Sequence, residues 1–132
     1  MYSKIYIMKK KTLIWLDDVR DVVTYRDRWS IFFPLSHKDY IDVIWLKNYS
    51  SFVEWINENG LPDAICFDHD LGEEKSGYDC ATWLINYCLD NNIKDLPEWN
   101  VQSANPVGKE NIMNLLNNYT NFFMKCGRRV KF

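Results

Sequence analysis

The sequence lacks the features that mark membrane-spanning and secreted proteins. No run approaches the ~18 apolar residues that a membrane span needs, and residues 1–11 lack the apolar stretch and small-residue cleavage site of a signal peptide. The four cysteines form no C-x-x-C pair, and three of them lie in apolar runs, which indicates reduced, buried thiols. These absences predict a cytoplasmic protein without a disulfide framework or a membrane partner.

The sequence also lacks a strong charge of either sign. Its net charge is −2 and its pI is near 5.6, which argues against a surface built to neutralise a long nucleic-acid backbone. We therefore expect no binding to extended duplex DNA, while a small phosphorylated ligand or an RNA end stays possible. The 132 residues, 47% of them hydrophobic, predict one domain over 1–132, with a leader or edge strand at 1–10 and a core at 11–125.

Short apolar runs alternate with segments of helical spacing. The runs predict strands at residues 12–16, 41–46, 64–67 and 99–103, and the first three have the continuous apolar character of strands buried on both faces. The segments between and after them predict helices at residues 21–33, 51–60, 77–91 and 106–120. This alternation predicts an α/β fold with a doubly wound parallel sheet between two layers of helices.

Two helix boundaries carry specific end signals. Ser51 and Glu54 have the spacing of a capping box, so Ser51 is expected to cap the second helix, and Gly60 is expected to end it. Pro106 suits the first turn of the fourth helix.

Acidic residues follow two of the predicted strands. Asp17 and Asp18 come directly after the first strand, and Asp68 follows the third. Ligands bind at the carboxyl ends of strands in open parallel sheets, and converging carboxylates repel one another unless a hard cation such as Mg²⁺ or Mn²⁺ joins them. We expect Asp17, Asp18 and Asp68 to be metal ligands, although each aspartate alone could be a turn former or helix cap.

Other polar residues near these strand ends suit phosphate chemistry. His69 could act as a general acid or base. Ser103, Asn105 and the amide of Gly108 precede or open the fourth helix and could bind an anion there, while Arg20 could clamp a phosphate. Simple helix capping by Asn105 and simple charge balance by Arg20 are the alternatives.

Four segments together resemble one known family, the cyclic-phosphate processing receiver domain family. The resemblance spans about residues 11–120 and rests on Leu16-Asp17-Asp18-x-Arg20, Phe67-Asp68-His69-Asp70-Leu71-Gly72, Gly77-Tyr78-Asp79 and Ser103-Ala104-Asn105-Pro106-x-Gly108-x-x-Asn111. It implies an acidic metal pocket of Asp17, Asp18 and Asp68, with His69, Ser103 and Asn105 around the phosphate. Two departures are Gln102, where the family often has histidine, and the missing proline after Arg20.

The resemblance also implies a flavodoxin-like or receiver-like fold with strand order 2-1-3-4. A conventional receiver adds a fifth strand followed by a lysine, for which Phe122–Met124 and Lys125 are the candidates. Few residues then remain for a final helix, so the fold is expected to be truncated at its C-terminus.

Three functions fit these residues. The first is metal-dependent hydrolysis of a cyclic phosphate on a nucleotide or RNA end, with Asp17, Asp68 and His69 as catalytic residues. The second is a signalling receiver that accepts a phosphoryl group on Asp68. The third is a binder that sequesters a cyclic nucleotide without turnover.

Overall fold

The computed structural model describes residues 10–29 and 41–130, and residues 124–130 by their backbone alone. The predicted leader at 1–10 and the end of the first predicted helix therefore lie almost wholly outside the described residues. Within the described part, no helix has the length and apolar character needed to cross a membrane. The elements are β1 (Lys11–Leu16), α1 (Arg26–Trp29), β2 (Ile41–Leu46), α2 (Tyr49–Asn59), β3 (Ala64–Phe67), α3 (Gly77–Asp90), β4 (Glu98–Val101) and α4 (Pro106–Val130).

The described strands form one parallel sheet in the order β2-β1-β3-β4. β1 lies inside the sheet, where Leu13 is in register with Val43 of β2 and with Ala64 of β3. The predicted α/β fold and strand order are confirmed. β4 ends at Val101, two residues before the predicted end, because the chain turns there: the Ser103 hydroxyl accepts a hydrogen bond from the Asn105 amide at 3.1 Å.

The apolar character of β1 and β3 follows from burial on both faces of the sheet. On one face, Ile14 and Phe67 pack with residues of α2, α3 and α4, including Phe52, Leu84 and Ile112. On the other face, the described cluster contains Leu13, Trp15, Ala64 and Cys66 with Val22 and Tyr25 from the connection after β1. Side chains that meet no water on either face require a continuous apolar run.

The predicted capping of α2 by Ser51 is wrong, since the helix begins three residues earlier, which is nearly one turn. Asn48 is the cap, and its side chain accepts a hydrogen bond from the Ser51 amide at 2.8 Å, while the Ser51 side chain faces back to the Asn48 backbone. Ser51 thus occupies the third position of the capping box, which its short hydroxyl can fill as Glu or Gln usually does. The predicted stop at Gly60 is confirmed.

The predicted fifth strand at Phe122–Met124 is wrong as well. These residues, and Lys125, lie in α4, which runs from Pro106 to Val130. Phe123 continues the apolar face of this helix and packs its ring on Tyr119 at a centroid distance of 4.9 Å, whereas Phe122 is 57% exposed. The sheet therefore has four strands in the described part of the chain.

Two further helix predictions need adjustment. α1 covers only Arg26–Trp29 of the predicted 21–33, and residues 30–33 are outside the described part. α3 has the predicted bounds to within one residue; its Leu84 is buried, whereas its Leu89 is 48% exposed.

Leu84 and Leu89 offer a matched test of this packing. Leu84→Ala should lower the free energy of unfolding by about 3 kcal/mol, because its side chain is 1% exposed and its removal leaves a cavity. Leu89→Ala removes the same atoms from the same helix and should change stability by less than about 1 kcal/mol. Equal losses in denaturant unfolding would contradict this placement of α3.

Candidate functional site

The candidate site lies where the direction of chain travel across the sheet reverses. From β1 the chain moves outward to β2, whereas β3 lies on the other side of β1 and leads on to β4. Asp17 and Asp68 directly follow the adjacent strands β1 and β3. This is the switch point at which open α/β sheets bind ligands.

The Asp17 side chain is buried and held in one position. Its Oδ1 accepts hydrogen bonds from the amides of Val19 at 2.9 Å and Arg20 at 2.8 Å, and its Oδ2 accepts one from the Arg20 guanidinium at 3.3 Å. Its carbonyl accepts a 2.7 Å hydrogen bond from the Trp45 indole N–H. Trp45 is thus one of the residues that fix the position of the Asp17 backbone.

Asp17, Asp18 and Asp68 converge, as the sequence predicted. One carboxylate oxygen from each lies within 4.8 Å of the others. Gly72 permits the approach of Asp18: its φ is +69°, and a Cβ at this position would lie 2.9 Å from the Asp18 Oδ2. A side chain here would therefore be strained and would displace Asp18.

The crowding shifts the protonation of Asp68. Burial, the charge of Asp17 and, more weakly, that of Asp18 raise the pKa of Asp68 to about 6, against an opposing effect of Arg20. The Arg20 guanidinium lies 4.0 Å from the Asp68 carboxylate. Although burial alone would lower the pKa of Arg20, the hydrogen bond and charge of Asp17 raise it, so the guanidinium stays positive.

This donor set fits a hard divalent cation. Carboxylate oxygens are the ligands that Mg²⁺ and Mn²⁺ prefer. Burial and repulsion together raise the pKa of Asp68, and such an ion would reverse the repulsion. The three ligand oxygens are already within 4.8 Å of one another. Asp18, Arg20, Asp68, Asp70 and Gly72 line the pocket beside them, with Val19, Tyr25 and Ala104.

His69 lies beside this pocket and not in its lining. Its Nδ1 is 2.9 Å from the Asp70 carboxylate, and its ring packs on Gly108 of α4, where a Cβ would come within 2.4 Å of the ring. The ring lines a neighbouring groove with Ser76, Tyr78 and residues of α4. The hydrogen bond from His69 lowers the pKa of Asp70, and a side-chain hydrogen bond from Asn105 acts in the same direction.

Ser103 and Asn105 form the turn that opens α4. The Asn105 side chain accepts a hydrogen bond from the Gly108 amide at 3.0 Å, and its carbonyl accepts one from Lys109 at 2.9 Å. Asn105 therefore caps the helix, as the alternative interpretation of the sequence had it. Because Gly108 has no side chain, it also allows the His69 ring to pack closely against α4.

Two residues of the pocket were not singled out from the sequence. Asp70 lines it and orients His69, and Gly72 makes room for Asp18. Both belong to the motif segment at residues 67–72, so the signal was present. Gln102 is buried, and its amide nitrogen donates to the Leu16 carbonyl at 3.4 Å. It therefore ties β4 to β1 and offers no titratable group.

The parallel sheet with acidic residues at its switch point defines a receiver-like α/β domain. The chain belongs to the cyclic-phosphate processing receiver domain family, whose profile matches residues 12–118. It is also similar to a solved structure titled as a yeast Spc42 trimeric coiled-coil segment, amino acids 181–211, in a fusion, with a TM-score of 0.52 and 17% identity over 94% of this chain and 89% of that one. That likeness supports the fold alone. No curated protein matches the chain.

Asp68→Asn should stabilise the metal-free protein at neutral pH. The folded-state pKa of Asp68 is about 6 against an ordinary 3.8, so the folded state binds more protons than the unfolded state between these values, and wild-type stability falls as pH rises through them. In EDTA at about pH 7.5 the variant should gain about 1–2 kcal/mol in unfolding free energy, and the gain should vanish below about pH 4.

Asp90→Asn is the control, because Asp90 is exposed at the end of α3. Its stability should follow the wild type at both pH values. An Asp68→Asn variant that is no more stable than wild type at about pH 7.5 would contradict the crowding of this site.

Proposed function

We propose that the protein hydrolyses a cyclic phosphate on a nucleotide or an RNA end, with Mg²⁺ or Mn²⁺ as its cofactor. The observation that carries this proposal is the convergence of Asp17, Asp18 and Asp68 beside Arg20 at the switch point. Membership of a cyclic-phosphate processing family supports the choice of substrate class.

Asp17, Asp18 and Asp68 would hold the ion. Bound there, a divalent cation would neutralise charge on the phosphoryl oxygens and would make the attacking water more acidic. Arg20 is 28% exposed, and its hydrogen bond to Asp17 uses one of its terminal nitrogens. The other N–H groups of the planar guanidinium can therefore donate to a phosphate oxygen.

The hydrolysis adds one water. A bond forms between the water oxygen and phosphorus, one P–O bond of the ring breaks, and a proton from the water ends on the leaving oxygen. His69 is our candidate for the group that passes this proton: its ring would give a proton to the leaving oxygen and regain one from the attacking water. Asp70 engages its Nδ1 at 2.9 Å, which leaves Nε2 as the nitrogen that can serve the substrate.

The position of the His69–Asp70 pair also supports the role of His69 in proton transfer. Asp70 lines the acidic pocket and His69 lines the adjacent groove, so the pair stands between the two. A ligand whose phosphate lies beside Asp68 and whose remainder lies in the groove would pass His69 at the junction.

Incubation with 2′,3′-cyclic, 3′,5′-cyclic and cyclic oligonucleotide phosphates tests the proposal. Mass spectrometry should show the gain of one water on a member of this panel in Mg²⁺ or Mn²⁺ and none in EDTA. Asp18→Asn and Asp68→Asn should lower the rate at least about a hundredfold, since each removes a charge from the metal pocket, whereas Asp90→Asn should keep it.

Ligands that all return intact would refute hydrolysis. Tight binding with intact recovery would then favour the sequestering protein, and addition of a phosphoryl group to Asp68 from a small phosphodonor would favour the signalling receiver.

Alanine substitutions at two glycines with positive φ distinguish an effect on metal affinity from an effect on stability. Gly72→Ala should weaken Mn²⁺ binding about tenfold, because its Cβ would displace the Asp18 carboxylate. Gly60→Ala introduces strain at a φ of +82°, with no atom within 4 Å of the added Cβ. Both variants should lose about 1 kcal/mol or more of stability.

Mn²⁺ affinity, measured by electron paramagnetic resonance, should change in the Gly72 variant and stay at the wild-type value in the Gly60 variant. A metal affinity that is equally unaffected in both would place the ion away from Asp18.

A further inference from the structure

A second depression, the groove, adjoins the acidic pocket. It has a volume of about 500 Å³ and lies between the start of α3 and one face of α4. Its lining residues are His69, Ser76, Tyr78, Asn111, Asn114, Leu115 and Asn118. The proposed hydrolysis assigns a role to His69 but none to the other side chains of this lining.

Three amide side chains stand in a row along the groove. Asn111, Asn114 and Asn118 lie three and four residues apart on α4, so they share a face of the helix over about 10 Å. None of these side chains makes a hydrogen bond with a residue in the described part of the chain. Each offers both donors and an acceptor.

An aromatic ring faces the same space. Tyr78, the second residue of α3, is 37% exposed, and its backbone is fixed by a hydrogen bond from its amide to the Ser76 hydroxyl at 3.2 Å. A partly exposed ring beside amides that have no partner among residues 10–29 and 41–130 combines stacking with hydrogen bonding, as sites for single nucleobases do. Leu115, which is half-buried on the same helix, adds an apolar side chain to the lining.

We propose that this groove binds the nucleobase of the substrate, so that the ligand is a nucleoside cyclic phosphate or RNA end and not a base-free cyclic phosphate. The inference rests on the proposed function for the location of the phosphate. The base would stack on Tyr78 and pair with amides of Asn111 and Asn114, while the phosphate lies at the acidic pocket. His69, packed on Gly108 and paired with Asp70, joins the two subsites.

The helix α4 also offers a control for this row. Asn117 lies on the same helix and is exposed, but it does not line the groove. It is therefore a matched control for the groove amides.

Two kinds of probe, nucleosides and inorganic phosphate, test the groove and the acidic pocket separately in the intact, ¹⁵N-labelled protein. Adenosine, guanosine, cytidine and uridine carry a base and no phosphate, and at least one of them should shift the amide signals of Tyr78 and of the Asn111–Asn118 segment. Inorganic phosphate with Mg²⁺ should shift signals of the acidic pocket instead.

The double variant Asn111→Ala/Asn114→Ala should bind the responding nucleoside at least about tenfold more weakly, by the loss of two hydrogen bonds. Asn117→Ala should keep the wild-type affinity. All three changes favour the helix, so loss of folding does not confuse the result. Asp18→Asn should leave nucleoside binding unchanged.

The outcomes separate this inference from the proposed function. If cyclic nucleotides are hydrolysed but no nucleoside shifts the groove signals, or if the double variant binds like wild type, the nucleobase site is refuted and hydrolysis stands. If a nucleoside binds in the groove with the expected variant effects and no cyclic phosphate is hydrolysed, the nucleobase site is supported and the proposed function fails.

Discussion

Electrostatic repulsion among three carboxylates at the carboxyl ends of the inner strands is the constraint around which the rest of the site is arranged. At the separations found between Asp17, Asp18 and Asp68, two charges repel by about 3 kcal/mol or more at an effective dielectric constant near 20. Arg20 offsets part of this repulsion, and burial together with the remaining repulsion raises the pKa of Asp68. A protein that keeps such a cluster retains a destabilising feature, which is the pattern expected of a functional site.

The surrounding backbone fixes this cluster by close contacts. Asp17 is held by two backbone amides, and Asp18 has its place because Gly72 carries no side chain. Gly77 acts similarly for Asp68: a Cβ there would overlap the Asp68 carbonyl, so the start of α3 can pack directly on the loop after β3. The positions of Gly72 and Gly77 are therefore explained by contacts with neighbouring aspartate residues.

A second consequence of close packing is the division of the polar residues between two depressions. Gly108 allows the His69 ring to lie against α4, and Asp70 binds its Nδ1. Asp70 remains in the acidic pocket, whereas His69 faces the asparagine row. The two halves of the proposed ligand, phosphate and base, would then meet one residue pair at their junction.

The features predicted most accurately from the sequence are those that burial decides. β1 and β3 are buried on both faces, so their apolar runs mark them clearly, and the acidic cluster follows because both strands end at the same edge. Boundaries set by local hydrogen bonds were less accessible: Asn48 competes with Ser51 as a cap, and the apolar Phe122–Met124 run continues a helix. The direction of His69 depends on a contact with Gly108, thirty-nine positions away, which no local pattern contains.

An anomalous difference map from crystals grown with Mn²⁺ would test the central claim most directly. We expect one strong peak in direct coordination with carboxylate oxygens of Asp17, Asp18 and Asp68, lost in crystals of Asp68→Asn. A map without a peak among these residues, or with Mn²⁺ bound only elsewhere on the chain, would contradict the assignment of the acidic cluster as a metal site.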